Sequence, residues 1–271
     1  MNDKLLNIRK QVIQTVCPNA ERITAPNIRG GQNNVLIANT PNETTVFKFG
    51  DEKLVKKNQA VSKLYKIRDI PAPTITADNV DNVYYEKYRI LPGKTLFEAI
   101  QDGMTDEQIK QVYREILVEF EKMSHISPAY INKHLTGAVH DIARINVSRA
   151  NNKLLGQLCT AIVYFANIGK ASEMALYHSD ITPKNVIVSD DGHLVGFVDM
   201  DNVCICNKKH AFGMMAAKYH ELGFDINELM DEYYKVSSEH LPRANIARRV
   251  TIANIGKRLL WKHSVRQTRQ K

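Results

Sequence analysis

The stretch Leu176–Asp199 constrains the fold of this chain more than any other. It reads Leu-Tyr-His-Ser-Asp-Ile-Thr-Pro-Lys-Asn-Val-Ile-Val-Ser-Asp-Asp-Gly-His-Leu-Val-Gly-Phe-Val-Asp. His178, Asp180 and Asn185 fall in one loop, with the Asn five residues after the Asp. Val186–Ser189 reads as a strand, Asp191-Gly192 as a tight turn, and His193–Val198 as the returning strand. Asp199 stands at the exit. Such a hairpin folds Asp199 back towards Asn185, so an amide oxygen and a carboxylate converge. Those are the hard oxygen donors that a Mg²⁺ ion takes when it also rides on a nucleotide phosphate. Asp180 is left at the mouth of the loop, where it can orient a hydroxyl nucleophile.

The organisation on either side of this stretch is consistent with two lobes. Leu5, Leu6, Ile8, Val12, Ile13 and Val16 recur as one helix face, and Pro18 lies just past its end. Strand-like runs follow at Arg22–Ile28, Val35–Thr40 and Thr44–Phe49, then a helix over Lys53–Arg68. Pro71 and Pro73 break that helix. An extended Thr74–Ala77 follows, and a turn at Asp81-Asn82 leads into Val83–Ile90. Leu91-Pro92-Gly93 punctuates a boundary, so residues 1–91 are expected to form a small β-rich lobe and 92–271 a larger, mainly helical one. In the second part Thr105 and Gln108 predict a capping box. Ile109, Val112, Tyr113, Ile116, Leu117, Phe120 and Met123 form a core-facing stripe. Leu154–Phe165 is apolar on more than one face and predicts a buried helix. Ala211–Leu222, Asn227–Val236 and Ala244–Lys262 read as further helices.

Composition narrows the class. With 44% apolar and 24% charged residues, the chain is ordinary for a globular protein. It has no run long enough to span a membrane. The first ten residues lack the apolar core of a signal peptide, and Cys17, Cys159, Cys204 and Cys206 are expected as free thiols, so a cytoplasmic location is expected. The net charge of +8 is local. Residues 241–271 hold nine Lys or Arg and no acid, which leaves 28 basic against 29 acidic residues in the remainder. A basic tail can meet nucleic acid or an anionic surface, but nothing in it resembles a nucleic-acid-binding motif. That reading is kept only as an alternative.

Two features of the first lobe point towards phosphate. Arg29-Gly30-Gly31-Gln32-Asn33-Asn34 lies between strands, and paired glycines let backbone N–H groups approach an anion closely. Lys48 is a lone cation in the apolar strand Val46-Phe47-Lys48-Phe49, where burial without a partner would be costly.

The stretch 176–199 resembles the aminoglycoside phosphotransferase and choline kinase superfamily, small-molecule relatives of the protein kinases. Their catalytic segment reads H-x-D-x-x-x-x-N, followed by a strand pair that ends in an Asp. The resemblance implies a two-lobed protein-kinase-like α+β fold. It also implies ATP- and Mg²⁺-dependent phosphorylation of a small-molecule hydroxyl, with GTP as an alternative donor. On this footing Asp180 is the catalytic base, His178 supports the loop, and Asn185 and Asp199 hold the metal. The superfamily places a glycine-pair turn with Asn at the position of Gly30, Gly31 and Asn33, and a phosphate-gripping lysine at Lys48. Arg89, Ile90 and Leu91 stand where an adenine would bond to backbone.

The match has departures. Kinases pair the strand lysine with a Glu on the next helix, but Lys53–Arg68 contains no acid. Asp51, Glu52, Asn58 and Gln59 are the substitutes at hand. Thr182 and Ser179 replace the Lys and Arg that protein kinases carry beside the catalytic Asp, which favours a small-molecule acceptor. Asp201 is open between a second metal, the acceptor and a turn. An aminoglycoside, choline, ethanolamine, a sugar or an amino alcohol are the candidate acceptors. The acidic run over residues 221–240 is the one feature that would suit a polycation. A catalytically weak nucleotide-binding relative is the remaining alternative, and the oligomeric state is open.

Overall fold

The computed structural model describes residues 3–26, 34–142, 173–221, 223–237, 239, 241–247, 250 and 251. The turn at residues 29–33, the expected helix at 154–165 and most of the expected helix at 244–262 therefore lie outside the described residues.

Helix α1 (Asp3–Val16) precedes strands β1 (Arg22–Thr24), β2 (Val35–Asn39) and β3 (Thr44–Phe49). Helix α2 (Glu52–Ile67) then leads to β4 (Thr76–Val80) and β5 (Val83–Arg89). The five strands form one antiparallel sheet in the order β1-β2-β3-β5-β4. Helix α2 starts where Asp51 accepts a bond from Leu54 N–H, as an N-cap should. The register of β3 against β5 sets Lys48 opposite Glu86. Val12 and Ile13 of α1 close a small core over Leu36, Ala38, Phe47, Phe49 and Tyr85.

After β5 come β6 (Lys94–Thr95), α3 (Leu96–Gln101), α4 (Asp106–Ser124), α5 (Pro128–His134) and α6 (Ala138–Ile142). Thr105 and Gln108 form the expected capping box. The seven apolar residues of the α4 stripe are the seven that helix buries. Each contributes roughly 1.5–3 kcal/mol of apolar burial before the entropy of ordering is counted. Strand β7 (Met174–His178), the hairpin β8 (Val186–Val188) and β9 (Leu194–Phe197), a 3₁₀ turn (Met200–Asn202) and β10 (Val203–Asn207) carry the loop of interest. Helices α7 (Lys208–His220) and α8 (Ile226–Val236) follow.

Three contacts fix the hairpin. Gly93, at φ +110°, approaches Val188 so closely that an added Cβ would lie 2.1 Å from its carbonyl oxygen. Glu115 of α4 accepts bonds from Leu194 N–H at 2.6 Å and His193 Nδ1 at 2.7 Å. Phe197 N–H donates to Pro71 O at 3.0 Å. Beneath the loop, Tyr177 of β7 stacks on Phe120 of α4 with ring centroids 4.8 Å apart.

Helix α2 packs its apolar face into the larger core. Val61, Leu64 and Tyr65 belong to the large core shared with α4, β7, β10, α7 and α8, whereas the sheet's small core excludes them. Among the described residues no helix is long and apolar enough to cross a membrane, and Cys17, Cys204 and Cys206 are free thiols.

Candidate active site

Pairing of β7 with β10 aligns His178 with Val203 and draws the 3₁₀ turn alongside the loop after His178. Ser179 Oγ donates to Asn202 O at 2.5 Å, and Thr182 N–H donates to Asp180 O at 2.8 Å. Across the hairpin, Val198 N–H donates to Asn185 O at 2.9 Å. Asp199, the next residue, therefore emerges beside Asn185, as the hairpin argument requires.

His178 is 1% exposed. Its Nδ1 accepts from Asp180 N–H at 3.3 Å, so Nε2 carries the proton and donates to Val198 O at 3.0 Å. Burial lowers its pKa, against the opposing pull of Val198 O and of Asp180 and Asp199. The ring is thus a neutral clamp between the loop and the hairpin's exit. Asp180 Oδ2 accepts from Asn185 Nδ2 at 3.2 Å and from Asn202 Nδ2 at 3.3 Å. Asn185 Nδ2 also donates to Asp180 O at 3.0 Å, which turns its amide oxygen away from Asp180.

Asp199 sits at φ 63°, ψ 66°. The left-handed region costs a non-glycine residue about 1–2 kcal/mol, and such strain concentrates at functional sites. Its Oδ1 meets Lys48 Nζ at 2.5 Å, and Asp201 Oδ1 meets the same ammonium at 2.7 Å. Lys48, 14% exposed, thereby joins the N-terminal sheet to the hairpin exit. Burial alone would push its pKa down, but Asp199, Asp201 and Glu86 outweigh that and raise it.

The partner of Lys48 was the open question, and the answer departs from the expected substitutes. Asp51 caps α2, and Glu52 bonds Lys56. Asn58 reaches the site but bonds carboxylates: its Nδ2 donates to Glu86 Oε2 at 2.7 Å and to Asp201 Oδ1 at 2.8 Å. Lys57 donates to Asp201 O at 2.7 Å. Glu86 is 2% exposed. Burial raises its pKa to about 7, against Lys48 and Asn58, which pull it down. Asp199 and Asp201 are the carboxylates that meet Lys48 directly. The sequence signal for Glu86 was present but faint: a single acid in the alternating run Tyr84-Tyr85-Glu86-Lys87-Tyr88. Its meaning depends on the β3–β5 register.

Other expectations fare differently. Gly30, Gly31 and Asn33 lie outside the described residues. At the end of β5, Ile90 N–H donates to Thr44 O at 3.0 Å, so that amide is engaged in the sheet. Arg89 faces Glu43 at 3.8 Å, Leu91 is half-buried, and Ile90 leaves an apolar side chain 46% exposed. The acidic run over residues 221–240 is largely spent within the molecule. Asp225 caps α8, Asp231 pairs with Arg243, Glu232 meets Arg114 at 2.6 Å, and Glu239 meets Lys208 at 3.2 Å.

A divalent cation suits the donor set. The place between Asp199 and Asp201 already holds a positive group, the Lys48 ammonium. Among the described residues no three His, Cys, Asp or Glu gather into a self-sufficient metal site.

The two-lobed fold matches the kinase-like fold of several solved structures. Aminoglycoside 2'-phosphotransferase-IIIa, solved with GDP, superposes with TM-score 0.61 at 14% identity, covering 96% of this chain and 92% of that one. The choline kinase LicA from Streptococcus pneumoniae gives TM-score 0.61 at 14% identity, covering 98% and 92%. Aminoglycoside phosphotransferase APH(3'')-Id from Streptomyces rimosus, solved with ADP and streptomycin, gives 0.63 at 13%, covering 90% and 96%. No family model matches the sequence, and no curated protein matches it.

Proposed function

We propose that this protein is a small-molecule kinase: a nucleotide- and Mg²⁺-dependent phosphotransferase acting on an alcohol. One observation carries the reading. Lys48 of the sheet meets Asp199 across 151 residues of sequence, beside the loop that presents Asp180 and Asn185. Residues 1–91 serve as the nucleotide-binding lobe, and 92–271 supply the loop and the acceptor site. ATP is the proposed donor, with GTP as the alternative.

The proposed roles are these. Asn185 and Asn202 hold Asp180 Oδ2, leaving its other oxygen to accept from the acceptor's hydroxyl. The hydroxyl proton passes to Asp180 as the new oxygen–phosphorus bond forms and the bond to the leaving diphosphate breaks. His178 keeps the loop's shape and transfers no proton. Lys48 offsets charge on the α- and β-phosphates. Asn185 and Asp199 would hold Mg²⁺, which would offset charge on the β- and γ-phosphates. Gly30, Gly31 and Asn33 would cover the phosphates, and the segment Arg89, Ile90 and Leu91 would receive the base. Ile90's exposed side chain offers it an apolar surface.

The acceptor is a hydroxyl-bearing small molecule, either an aminoglycoside or a smaller alcohol such as choline, ethanolamine or a sugar. The internal pairing of the acidic run removes the main electrostatic reason to favour a polycation. The test is a panel of these acceptors with labelled ATP or GTP and Mg²⁺. Transfer to one of them supports the proposal. Nucleotide binding without transfer to any acceptor would favour the weak-relative reading, which the amide Asn58 in place of a helix carboxylate also motivates.

A further inference from the structure

The role proposed for Lys48 raises a mechanical problem. Its nearest partner, Asp199, is also the residue that would hold the metal. Once Asp199 turns to a cation, something else must keep the ammonium aimed at the phosphates. Kinases use a carboxylate on the following helix, and α2 carries no acid where it faces Lys48.

The described residues contain a substitute in another place. Glu86 stands directly across the β3–β5 ladder from Lys48, at a spacing that suits an opposite-charge pair. Asp201 Oδ1 meets the Lys48 ammonium directly at 2.7 Å. Asn58, fully buried on α2, ties the two carboxylates together through one amide nitrogen. Its own Oδ1 is buried without a hydrogen-bond partner. A carboxamide used only as a donor, between two carboxylates, is a poor way to stabilise a core: apolar residues of similar volume would serve as well or better. The arrangement is better explained by what it does to Lys48.

We infer that Glu86 and Asp201, bridged by Asn58, are the positioning residues of Lys48, acting from β5 and the 3₁₀ turn in place of a helix carboxylate. The inference rests on the reading of Lys48 as a phosphate-binding residue. It predicts that Glu86 acts on nucleotide affinity only through Lys48.

The experiment measures Mg²⁺·ATP and adenosine affinity by calorimetry, with melting temperature, for the full chain and four variants: Lys48→Met, Glu86→Gln, the two combined, and the exchanged pair Asn58→Glu with Glu86→Gln. Glu86→Gln should weaken Mg²⁺·ATP about tenfold and leave adenosine unchanged. Adding Glu86→Gln to Lys48→Met should cause no further loss. The exchanged pair keeps one carboxylate bonded to one amide and should recover most of the affinity. If Glu86→Gln does not fold, Asn58→Ala breaks the same bridge and carries the same expectation. Wild-type affinity in a folded Glu86→Gln protein that Lys48→Met lacks overturns this inference and leaves the proposed function standing. Additive losses, or no recovery in a folded exchanged pair, also overturn it. A wild-type chain that binds no Mg²⁺·nucleotide overturns the proposed function and this inference together.

Discussion

Replacing Lys48 by Met should destabilise the protein at neutral pH, and the loss should depend on pH in a particular direction. The substitution keeps the aliphatic stem and removes the ammonium that Asp199 and Asp201 share. Asp201 is 14% exposed, and Glu86 is deeper still. Leaving buried charges without their partner costs about 3–5 kcal/mol. Asp199 is 41% exposed, so water screens part of that, and Glu86 is already inclined to protonate. A net loss of about 2–3 kcal/mol at pH 7.5 follows, a drop in melting temperature of roughly 5–10 °C for a chain of this size.

The sign with pH is fixed by linkage. Without Lys48, Glu86 loses a neighbour that pulls its pKa down, so its already raised pKa rises further in the native state. Between the ordinary carboxylate range and that raised value the native state binds more protons than the unfolded one, so the variant's stability falls as pH rises. The gap between wild type and variant should be widest at pH 8 and shrink towards pH 5. Millimolar Mg²⁺ should narrow it at pH 8 by supplying the lost positive charge. Thermal melts at pH 5, 6.5 and 8, with and without Mg²⁺, measure all of this. Equal melting temperatures at pH 8, or a gap that does not change with pH, would refute the account of Lys48 as the counter-ion of this cluster.

Three further outcomes are expected. Asp180→Asn should preserve the melting temperature within a few degrees and the nucleotide affinity, while turnover on any accepted alcohol falls roughly 10²–10⁴-fold in steady-state assays, the range that a general base supplies. His178→Gln should cost about 2–3 kcal/mol in denaturant unfolding by weakening the clamp to Val198 O. Because the native ring resists protonation while the unfolded one does not, wild type should also lose stability as pH falls below the usual His value, and the variant should lose less over that interval. Gly93→Ala should lower the melting temperature by several degrees, since a Cβ there meets Val188 O and φ is +110°; an unchanged melt would mean that β6 and β8 can move apart freely.

Much of the site was legible because its parts are close in sequence. The spacing of His178, Asp180 and Asn185, the turn at Gly192 and the exit at Asp199 are local constraints, and a hairpin converts local spacing into proximity without further information. The Thr105 capping box and the α4 stripe were legible for the same reason: a helix's period is written in consecutive residues. Lys48 could be singled out as a cation in an apolar strand, but its partners could not. They depend on the register of β3 on β5, which places Glu86 opposite, and on the docking of α2 against a turn more than 140 residues away. The acidic run shows the same division from the other side. As a string of charges it suits a cationic ligand; in three dimensions Arg114, Lys208 and Arg243 reach it first. Sequence alone determined which chemistry the loop could carry, because bond lengths and strand geometry bring near neighbours together. Only the tertiary structure decided which charges meet, because a pairing between distant residues is settled by packing and desolvation over the whole chain.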